Sequence, residues 1–271
     1  MKLRYGLAVI ALDLVMALFG RWISPHNPMA QTLAVRLRPP LFHAVGAPVW
    51  LGTDDLGRDV LSRLIAGAHV SLLVGLFGAL LAASIGVPLG LIAGLGGGRV
   101  RALVLRITDI FLPIPFLLLA VAVVAALGPG LVNLFLALGL TRWPRFTRVA
   151  YASALEVKGR PFVEASVAAG ARPSRVLWRH VLPNISSAVL VVGTLEFSNM
   201  ILFESALSFL GLGVQPPSPS WGNMVAEGQD YIASAWWLIT FPGLAILLTV
   251  TGVNLIGDWL RDHFDPRSRS L

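Results

Sequence analysis

The chain has 271 residues, of which 56% are hydrophobic and 13% charged, and its mean hydropathy is +0.76. An average soluble domain has about 25% charged residues, so this composition excludes a disordered chain and argues against an ordinary soluble globule. Cysteine is absent, which excludes disulfides, cysteine-ligated metals and a thiol nucleophile. A net charge of +7 in so hydrophobic a chain is typical of loops facing an anionic inner leaflet. The composition therefore predicts a membrane protein.

A membrane-spanning helix needs about 20 mainly apolar residues, and six segments approach this length. The first, residues 1–23, is predicted to be a retained helix rather than a signal peptide, because Asp13 interrupts it and no small-residue cleavage site follows. Gly128-Pro129-Gly130 is a turn signal that separates the third span from the fourth. The five later spans are expected at about residues 71–95, 103–127, 131–140, 185–203 and 235–256.

Residues 131–140 are the shortest segment, and the distribution of charge decides whether they cross the membrane. Eight basic residues lie from Arg142 to Arg179, whereas the region from Glu204 to Ala235 contains no Lys or Arg. Basic loops face the cytoplasm, so we expect an all-α membrane protein with six transmembrane helices and cytoplasmic N- and C-termini. Its predicted units are an N-terminal helix (1–23), a periplasmic loop with a short helix (24–68) and a core of five transmembrane helices (69–271).

The predicted periplasmic loop contains a run of mixed charges. Thr53 or Asp54 is expected to cap the short helix, and ion pairs are expected to tie the segment to the interface. Asp54, Asp55 and Asp59 could also bind a metal, but their spacing fits no standard calcium loop, and two neighbouring arginines offset their charge. We therefore expect no metal site here.

Glycines recur at every fourth residue of the second span. Gly86, Gly90, Gly94 and Gly98 would share one helix face, where a neighbouring helix can approach closely. The turn that follows, Gly96-Gly97-Gly98, is rich in glycine but lacks the G-x-x-x-x-G-K-[ST] pattern that cradles nucleotide phosphates. The chain is therefore not expected to bind ATP by that device.

Residues 151–184 form the most informative cytoplasmic loop. Pro161 suits the first turn of a helix, and Gly170 is placed to end that helix in the left-handed conformation. Pro173 can begin a second short helix, which Pro183 is expected to stop. This helix–turn–helix unit is tethered between two spans, which suits the docking of a cytoplasmic protein better than the tracking of a DNA groove.

This loop also carries the most specific motif of the chain. Glu164-Ala165-Ser166, then Gly170, then His180-Val181-Leu182-Pro183 resembles the EAA motif of binding-protein-dependent ABC importer permeases, although His180 replaces the usual Ile. The variant Arg-His-x-Leu-Pro-Asn at residues 179–184 is similar to the peptide and nickel branch of that family.

The resemblance extends from about residue 50 to the C-terminus. Residues 52–63, 207–213 and 216–222, together with Asp265-Pro266-Arg267, resemble the same branch. The likeness is greater to the dipeptide-permease C type than to the longer B type. It implies the type I ABC importer permease fold for this chain.

The resemblance also implies partners and roles. A second homologous permease, two cytoplasmic ATPases and an extracytoplasmic solute-binding protein would complete the importer, in the inner (plasma) membrane of a bacterium or archaeon. ATP and magnesium would bind to the ATPases, and no cofactor to this chain. The residues that the resemblance assigns to ATPase coupling are Glu164, Ala165, Ser166, Gly170, His180, Leu182 and Pro183.

Three polar residues lie within the predicted spans. Asp13, Glu196 and Asn199 are costly at membrane depth and are therefore candidates for the translocation pathway. Glu196 and Asn199 are three residues apart and share a helix face, where they could meet peptide backbones or terminal amines. Interhelical hydrogen bonds between packed spans are an equally open interpretation.

The sequence leaves other functions to be weighed. An intramembrane enzyme would need a pattern such as H-E-x-x-H or G-x-S-x-G, and neither occurs, so a non-catalytic subunit is expected. A stand-alone secondary carrier would not need the docking loop. Within the importer interpretation, di- or oligopeptides are favoured as cargo, while nickel or another small solute stays open; no nucleic-acid partner is expected.

Overall fold

The structure is a computed structural model that describes residues 2–43 and 48–264, so that Asp265-Pro266-Arg267 lies outside the described residues. The described chain is mainly helical. Its helices are α1 (Lys2–Ile23), α2 (Val60–Leu95), α3 (Gly98–Phe111), α4 (Phe116–Leu127), α5 (Leu131–Lys158), α6 (Pro161–Ala168), α7 (Pro173–Val176), α8 (Leu182–Phe209), α9 (Trp221–Gly228) and α10 (Trp237–Phe264). Shorter elements are 3-10 turns at Leu33–Val35 and Gln229–Tyr231, a π-helical turn at Leu177–Val181, and the antiparallel strands β1 (Phe42–His43) and β2 (Pro48–Val49).

Among the described residues, four helical segments are long and apolar enough to cross a membrane on their own: α1, α2, the run Pro173–Phe209, and α10. Helices α3 and α4 add a fifth span if the pair is counted as one, and the two are bent by 90° at the break between them. The remaining predicted span, the fourth in chain order (131–140), lies in α5. This helix has 28 residues, about 42 Å at 1.5 Å per residue, so its length suffices although arginines interrupt its apolar sequence.

Helices α2 and α5 run side by side in the same direction. Gly78 of α2 faces Leu138 of α5, and sixteen residues later Gly94 faces Ala154. Because the contacts advance along both helices in the same order, the chain must return across the bundle between them. Helices α3 and α4 provide that return, which supports the six-span topology and the span assigned to α5.

The other long helices alternate in direction. Gly6 of α1 lies against Gly252 of α10, and Asp13 of α1 meets Thr249, so α1 and α10 are antiparallel. Helices α8 and α10 are antiparallel as well. The antiparallel pairing of α1 with α10 places the N-terminus of α1 and the C-terminus of α10 on the same side of the membrane.

The predicted glycine face is confirmed for three of its four positions. A Cβ placed on Gly86 would lie 2.6 Å from the Cβ of Phe146, and one on Gly90 or Gly94 would be equally crowded by α5. These glycines let α2 and α5 pack closely along the halves that lie nearer the cytoplasm. Gly98 does not belong to the face, because α2 ends at Leu95 and Gly98 begins α3.

Two predicted helix ends are wrong. Helix α2 begins at Val60, well before the expected start, and its cap is Asp59, whose carboxylate accepts a 2.9 Å hydrogen bond from the Ser62 backbone N–H. Pro183 does not stop a helix. The π-helical turn joins α7 to α8 without a break, so Pro183 lies inside the continuous helical run Pro173–Phe209, where the local π geometry accommodates a residue without a backbone N–H.

The third span also differs from the expectation. The sequence pattern predicts one helix from about residue 103, whereas the structure ends α3 at Phe111 and restarts at Phe116. Pro113 and Pro115 lie in this break and cannot donate backbone hydrogen bonds. These two prolines explain the bend between α3 and α4, and the sequence already contains them.

Candidate functional site

The cytoplasmic unit begins where α5 ends, at Lys158. Pro161 occupies the first turn of α6, as predicted, and Gly170 adopts a φ of +79°, also as predicted. The backbone N–H of Gly170 donates to the Val167 carbonyl at 2.9 Å, and that of Ala171 to the Ser166 carbonyl at 3.1 Å. These bonds close the end of α6 and fix its turn toward α7.

One side of this unit is anchored in the bundle. Val163 of α6, Val176 of α7 and Val181 of the π-helical turn are buried in a cluster with residues of α2, α5 and the start of α8. The rings of Phe162 and His180 lie 5.8 Å apart and join α6 to the π-helical turn. These contacts tie α6 to the start of the α8 span.

The exposed side chains of α6 are largely apolar. Phe162 is 44% exposed and Val167 56% exposed, and Ala165 also lies on the surface. Of the other motif residues, Glu164, Gly170 and Pro183 are exposed, while Ser166, His180 and Leu182 are half-buried.

A buried ion pair connects α5 with α8 inside the bundle. The guanidinium of Arg142 donates to both oxygens of Glu196, with Nε–Oε2 at 2.7 Å and Nη2–Oε1 at 3.0 Å, and the Glu196 side chain is 1% exposed. The Arg142 guanidinium also lies 5.0 Å from the ring centroids of Phe116 and Phe203. Bidentate bonding and two aromatic faces together hold this cation in an apolar setting.

A second arginine reaches the same carboxylate from the surface. Arg145 lies one turn from Arg142, and its Nη1 is 3.4 Å from Glu196 Oε1 while its side chain is 56% exposed. One turn further along α5, Arg148 forms an ion pair with Asp109 of α3. Sequence reasoning placed these arginines in a cytoplasmic loop and missed their partners; the available signal was the isolated acid in the α8 span, which demands a cation.

The three predicted pathway residues are not gathered at one place. Asn199 lies one turn beyond Glu196 in α8 and is half-buried. Asp13 lies in the separate interface of α1 with α10, where its carboxylate accepts a 2.8 Å hydrogen bond from the Thr249 hydroxyl. Asp13 therefore forms the interhelical hydrogen bond that the sequence left as an alternative.

The mixed charges near the start of α2 form an ion-pair network, as predicted. Arg63 donates to Asp54 at 2.6 Å and to Glu227 of α9 at 2.7 Å. Arg58 donates to the same two carboxylates at 2.6 and 3.1 Å. The network joins the outer loop to α9, and Glu227 is the member that the sequence pattern did not reveal.

Asp54 does not cap a helix; it organises its own loop by accepting hydrogen bonds from the backbone N–H groups of Leu56 and Arg58. Carboxylate oxygens of Asp54, Asp55 and Glu227 lie within 4.8 Å of one another. Because the two arginines already bond to Asp54 and Glu227, this arrangement fits an ion-pair network rather than a cation site.

Another buried acid fixes the outer end of α8. Glu204 is fully buried, and its Oε1 accepts hydrogen bonds from the hydroxyls of Ser208 at 2.9 Å and Ser220 at 2.7 Å. Ser220 in turn caps α9 through the Asn223 N–H. Glu204 therefore anchors α9 to α8, a role that sequence reasoning missed.

These features define a class of protein. A multi-helix membrane bundle with a short cytoplasmic helical unit anchored to its spans is suited to transport driven by a cytoplasmic partner. Residues 86–270 match the family described as "Binding-protein-dependent transport system inner membrane component". The chain belongs to this family.

Several named transport proteins are similar to this chain over almost its whole length. The Di/tripeptide transport system permease protein DppC of Pseudomonas aeruginosa is 46% identical over 266 residues, which are 98% of this chain and 88% of the relative. The Dipeptide transport system permease protein DppC of Escherichia coli is 46% identical over 97% of this chain and 88% of its own length. The Probable D,D-dipeptide transport system permease protein DdpC of Escherichia coli is 42% identical over 96% and 86%.

Solved structures show the same fold. A chain of the MetNI methionine ABC transporter in inward-facing conformations superposes with a TM-score of 0.64 at 19% identity, covering 75% of this chain and 96% of that one. A second crystal form of that transporter gives a TM-score of 0.63. The chain therefore has the type I ABC importer permease fold and is a multi-pass, non-catalytic membrane subunit of an ABC importer, a system that includes an ATPase and a binding protein.

Proposed function

We propose that this chain pairs with a second homologous permease to form a translocation pathway for di- or oligopeptides across a bacterial inner membrane. Two cytoplasmic ATPases would dock on the paired chains, and a solute-binding protein would deliver the peptide from outside. The observation that carries the proposal is the likeness of 46% over 98% of the chain to a permease named for di- and tripeptide transport. Likeness over the full length includes the spans, the outer loops and the docking helix.

The proposed coupling element is α6 with the turn that follows. Its exposed apolar side chains, among them Phe162 and Val167, support docking into a groove of an ATPase. Its buried face, with Val163, supports transmission of ATPase movement to the spans. The residues proposed for coupling are Glu164, Ala165, Ser166, Gly170, His180, Leu182 and Pro183.

The proposed pathway lies along α5 and α8. From Arg145 to Glu156 the exposed residues of α5 recur at intervals of three and four and include Arg148, so one face of this part of the helix carries charge. Charged faces of spans turn toward a protein interior or a water-filled cavity rather than lipid. Glu196 and Asn199 lie beside this face in α8, whereas the contacts of Asp13 support a packing role.

We propose that the chain is organised into the same three units that the sequence predicts. The N-terminal helix, residues 1–23, packs on α10 and α2, and the outer segment, residues 24–68, would contact the delivered binding protein. The core, residues 69–271, would contain the pathway and the coupling loop 151–184.

Affinity purification of the tagged chain from its native host in mild detergent tests the assembly. Recovery of a second permease together with ATPases, identified by mass spectrometry, is the expected result. Recovery of the chain alone as an active homo-oligomer would contradict the proposal and indicate a carrier or an enzyme.

Substitutions in α6 test the coupling role. We expect Gly170→Pro, which is incompatible with a φ of +79°, and Glu164→Lys to abolish uptake while leaving membrane insertion intact. Gly97→Pro is a matched control, because Gly97 lies in another cytoplasmic turn at a φ of −75°, which proline adopts. Normal uptake by either α6 variant in a purified complex would disprove the coupling role.

A further inference from the structure

Arginines outnumber carboxylates around Glu196. Arg142 and Arg145 both bond to this one carboxylate, so the three side chains carry a net charge of +1. Arg142 already contacts both carboxylate oxygens at hydrogen-bonding distance, which leaves Arg145 a single long contact of 3.4 Å. Within residues 2–43 and 48–264, Glu196 is the only carboxylate within 4.0 Å of Arg145. Most of the five N–H donors of Arg145 thus remain available.

The surplus charge lies at membrane depth on a surface. Glu196 is at the middle of the 28-residue α8, and Arg145 reaches it from the exposed face of α5. The side chain of Arg145 is 56% exposed, compared with 8% for Arg142. A guanidinium in this position cannot face lipid without a large cost. It therefore faces either the water-filled pathway or the second permease.

The same ion pair argues against one role that the sequence suggested for Glu196, the binding of a peptide's terminal amine. A carboxylate that is neutralised by a bidentate arginine, with a second arginine beside it, offers no negative potential for a peptide amine. The site attracts anions instead. A planar guanidinium with free donors is the group that proteins use to bind a carboxylate through two parallel hydrogen bonds.

We propose that Arg145 binds the C-terminal carboxylate of the peptide as it passes along the pathway. Arg142 is a positioning residue: held by Phe116, Phe203 and Glu196, it fixes Glu196, and Glu196 aims the Arg145 guanidinium outward. This inference rests on the proposed function and adds that the carboxyl end of the cargo, rather than its amino end, is recognised beside α5 and α8.

Reconstituted transport tests the inference. The complete complex, with both permeases, the ATPases and the binding protein, is placed in proteoliposomes, and uptake of dialanine and ATP hydrolysis are measured in the same vesicles at saturating binding protein. Arg145→Gln should lower the uptake per ATP about tenfold, as expected for loss of a charge-assisted hydrogen bond at a partly solvated site. Arg145→Lys keeps the charge but not the planar fork, and should lose only about threefold. Arg99→Gln, which removes an exposed arginine from the first turn of α3, should transport normally.

The outcomes separate this inference from the proposed function. Wild-type uptake rates in the Arg145→Gln complex would overturn the carboxylate site alone. Loss of the second permease during purification of Arg145→Gln would also overturn it, because Arg145 would then belong to the interface between the permeases. Absence of dialanine uptake in the wild-type complex would overturn the proposed function and the inference with it.

Discussion

Two charged clusters of this chain have similar parts and different balances. The cluster at the outer end of α2 pairs two arginines with three carboxylates, and the cluster inside the bundle pairs two arginines with one. The outer cluster contains Asp54, Asp55, Arg58, Arg63 and Glu227, and the inner cluster contains Arg142, Arg145 and Glu196. In the outer cluster the carboxylates outnumber the arginines, so both cations are fully paired in holding the loops together. In the inner cluster the arginines are in excess, which leaves a positive charge for a ligand.

The surroundings differ as well. Glu227 is 31% exposed, so water shares in stabilising the outer cluster. Glu196 is 1% exposed and Arg142 lies between two phenylalanine rings, so the inner cluster depends on its own members. Removing one member should therefore cost more inside the bundle than at the outer end of α2.

The largest effect is expected from Glu196→Leu. This change leaves Arg142 buried without its partner and should lower the free energy of unfolding in detergent by about 3–5 kcal/mol. The double variant Arg142→Met with Glu196→Leu removes both charges and should recover most of that loss. Thermal unfolding of the purified chain measures both, and equal destabilisation of the single and double variants would contradict the importance of the pair.

A smaller loss is expected from Arg63→Gln. The variant breaks two charge-assisted hydrogen bonds of the outer cluster, but Arg58 stays bonded to the same two carboxylates, so the free energy of unfolding should fall by about 2–3 kcal/mol. Uptake per ATP in proteoliposomes should stay at the wild-type value. A tenfold loss of uptake with unchanged stability would show that the outer cluster is also a transport site.

Gly86→Ala tests how much the close packing of α2 against α5, the helix that carries Arg142 and Arg145, contributes to stability. The added Cβ would lie 2.6 Å from Phe146 Cβ and push α5 from α2, which should cost about 1–3 kcal/mol of unfolding free energy. Gly98→Ala is the control, because its Cβ would meet no described atom within 4 Å. Unfolding curves in which the two variants coincide would show that the packing of α2 against α5 tolerates separation.

The smallest effect is expected from divalent cations. Calcium or nickel ions at millimolar concentration should leave the thermal midpoint unchanged, because Arg58 and Arg63 already bond to Asp54 and Glu227. A midpoint that rises with cation concentration, and that Asp55→Asn returns to its starting value, would instead indicate a metal site.

Local signals in the sequence predicted the local structure well. Pro161 and Gly170 bound α6 as expected, and Gly128 and Gly130 separate α4 from α5 with positive φ values. Each of these residues restricts or frees its own backbone dihedrals, so no distant contact is needed to interpret it. Pro183 misled the prediction because proline usually ends a helix, and only the structure shows the π-helical turn that carries the helix through this residue.

Contacts between distant segments could not be predicted in the same way. Glu196 was recognised as costly, but its partner lies 54 residues away in a segment that charge counting assigned to the cytoplasm. Glu227 is likewise 164 residues from Arg63. Charge patterns restrict which side of the membrane a segment faces, but the pairing of individual charges depends on how the helices pack.

The most direct test of the chain as a peptide importer permease is ATP-driven uptake of a labelled dipeptide by the purified complex in proteoliposomes. We predict uptake that requires ATP, the binding protein and an intact α6, and that stops with Glu164→Lys while the complex stays assembled. Uptake by this chain alone, without ATPases or binding protein, would contradict the importer function, and so would a complex that hydrolyses ATP in response to its loaded binding protein but moves no peptide.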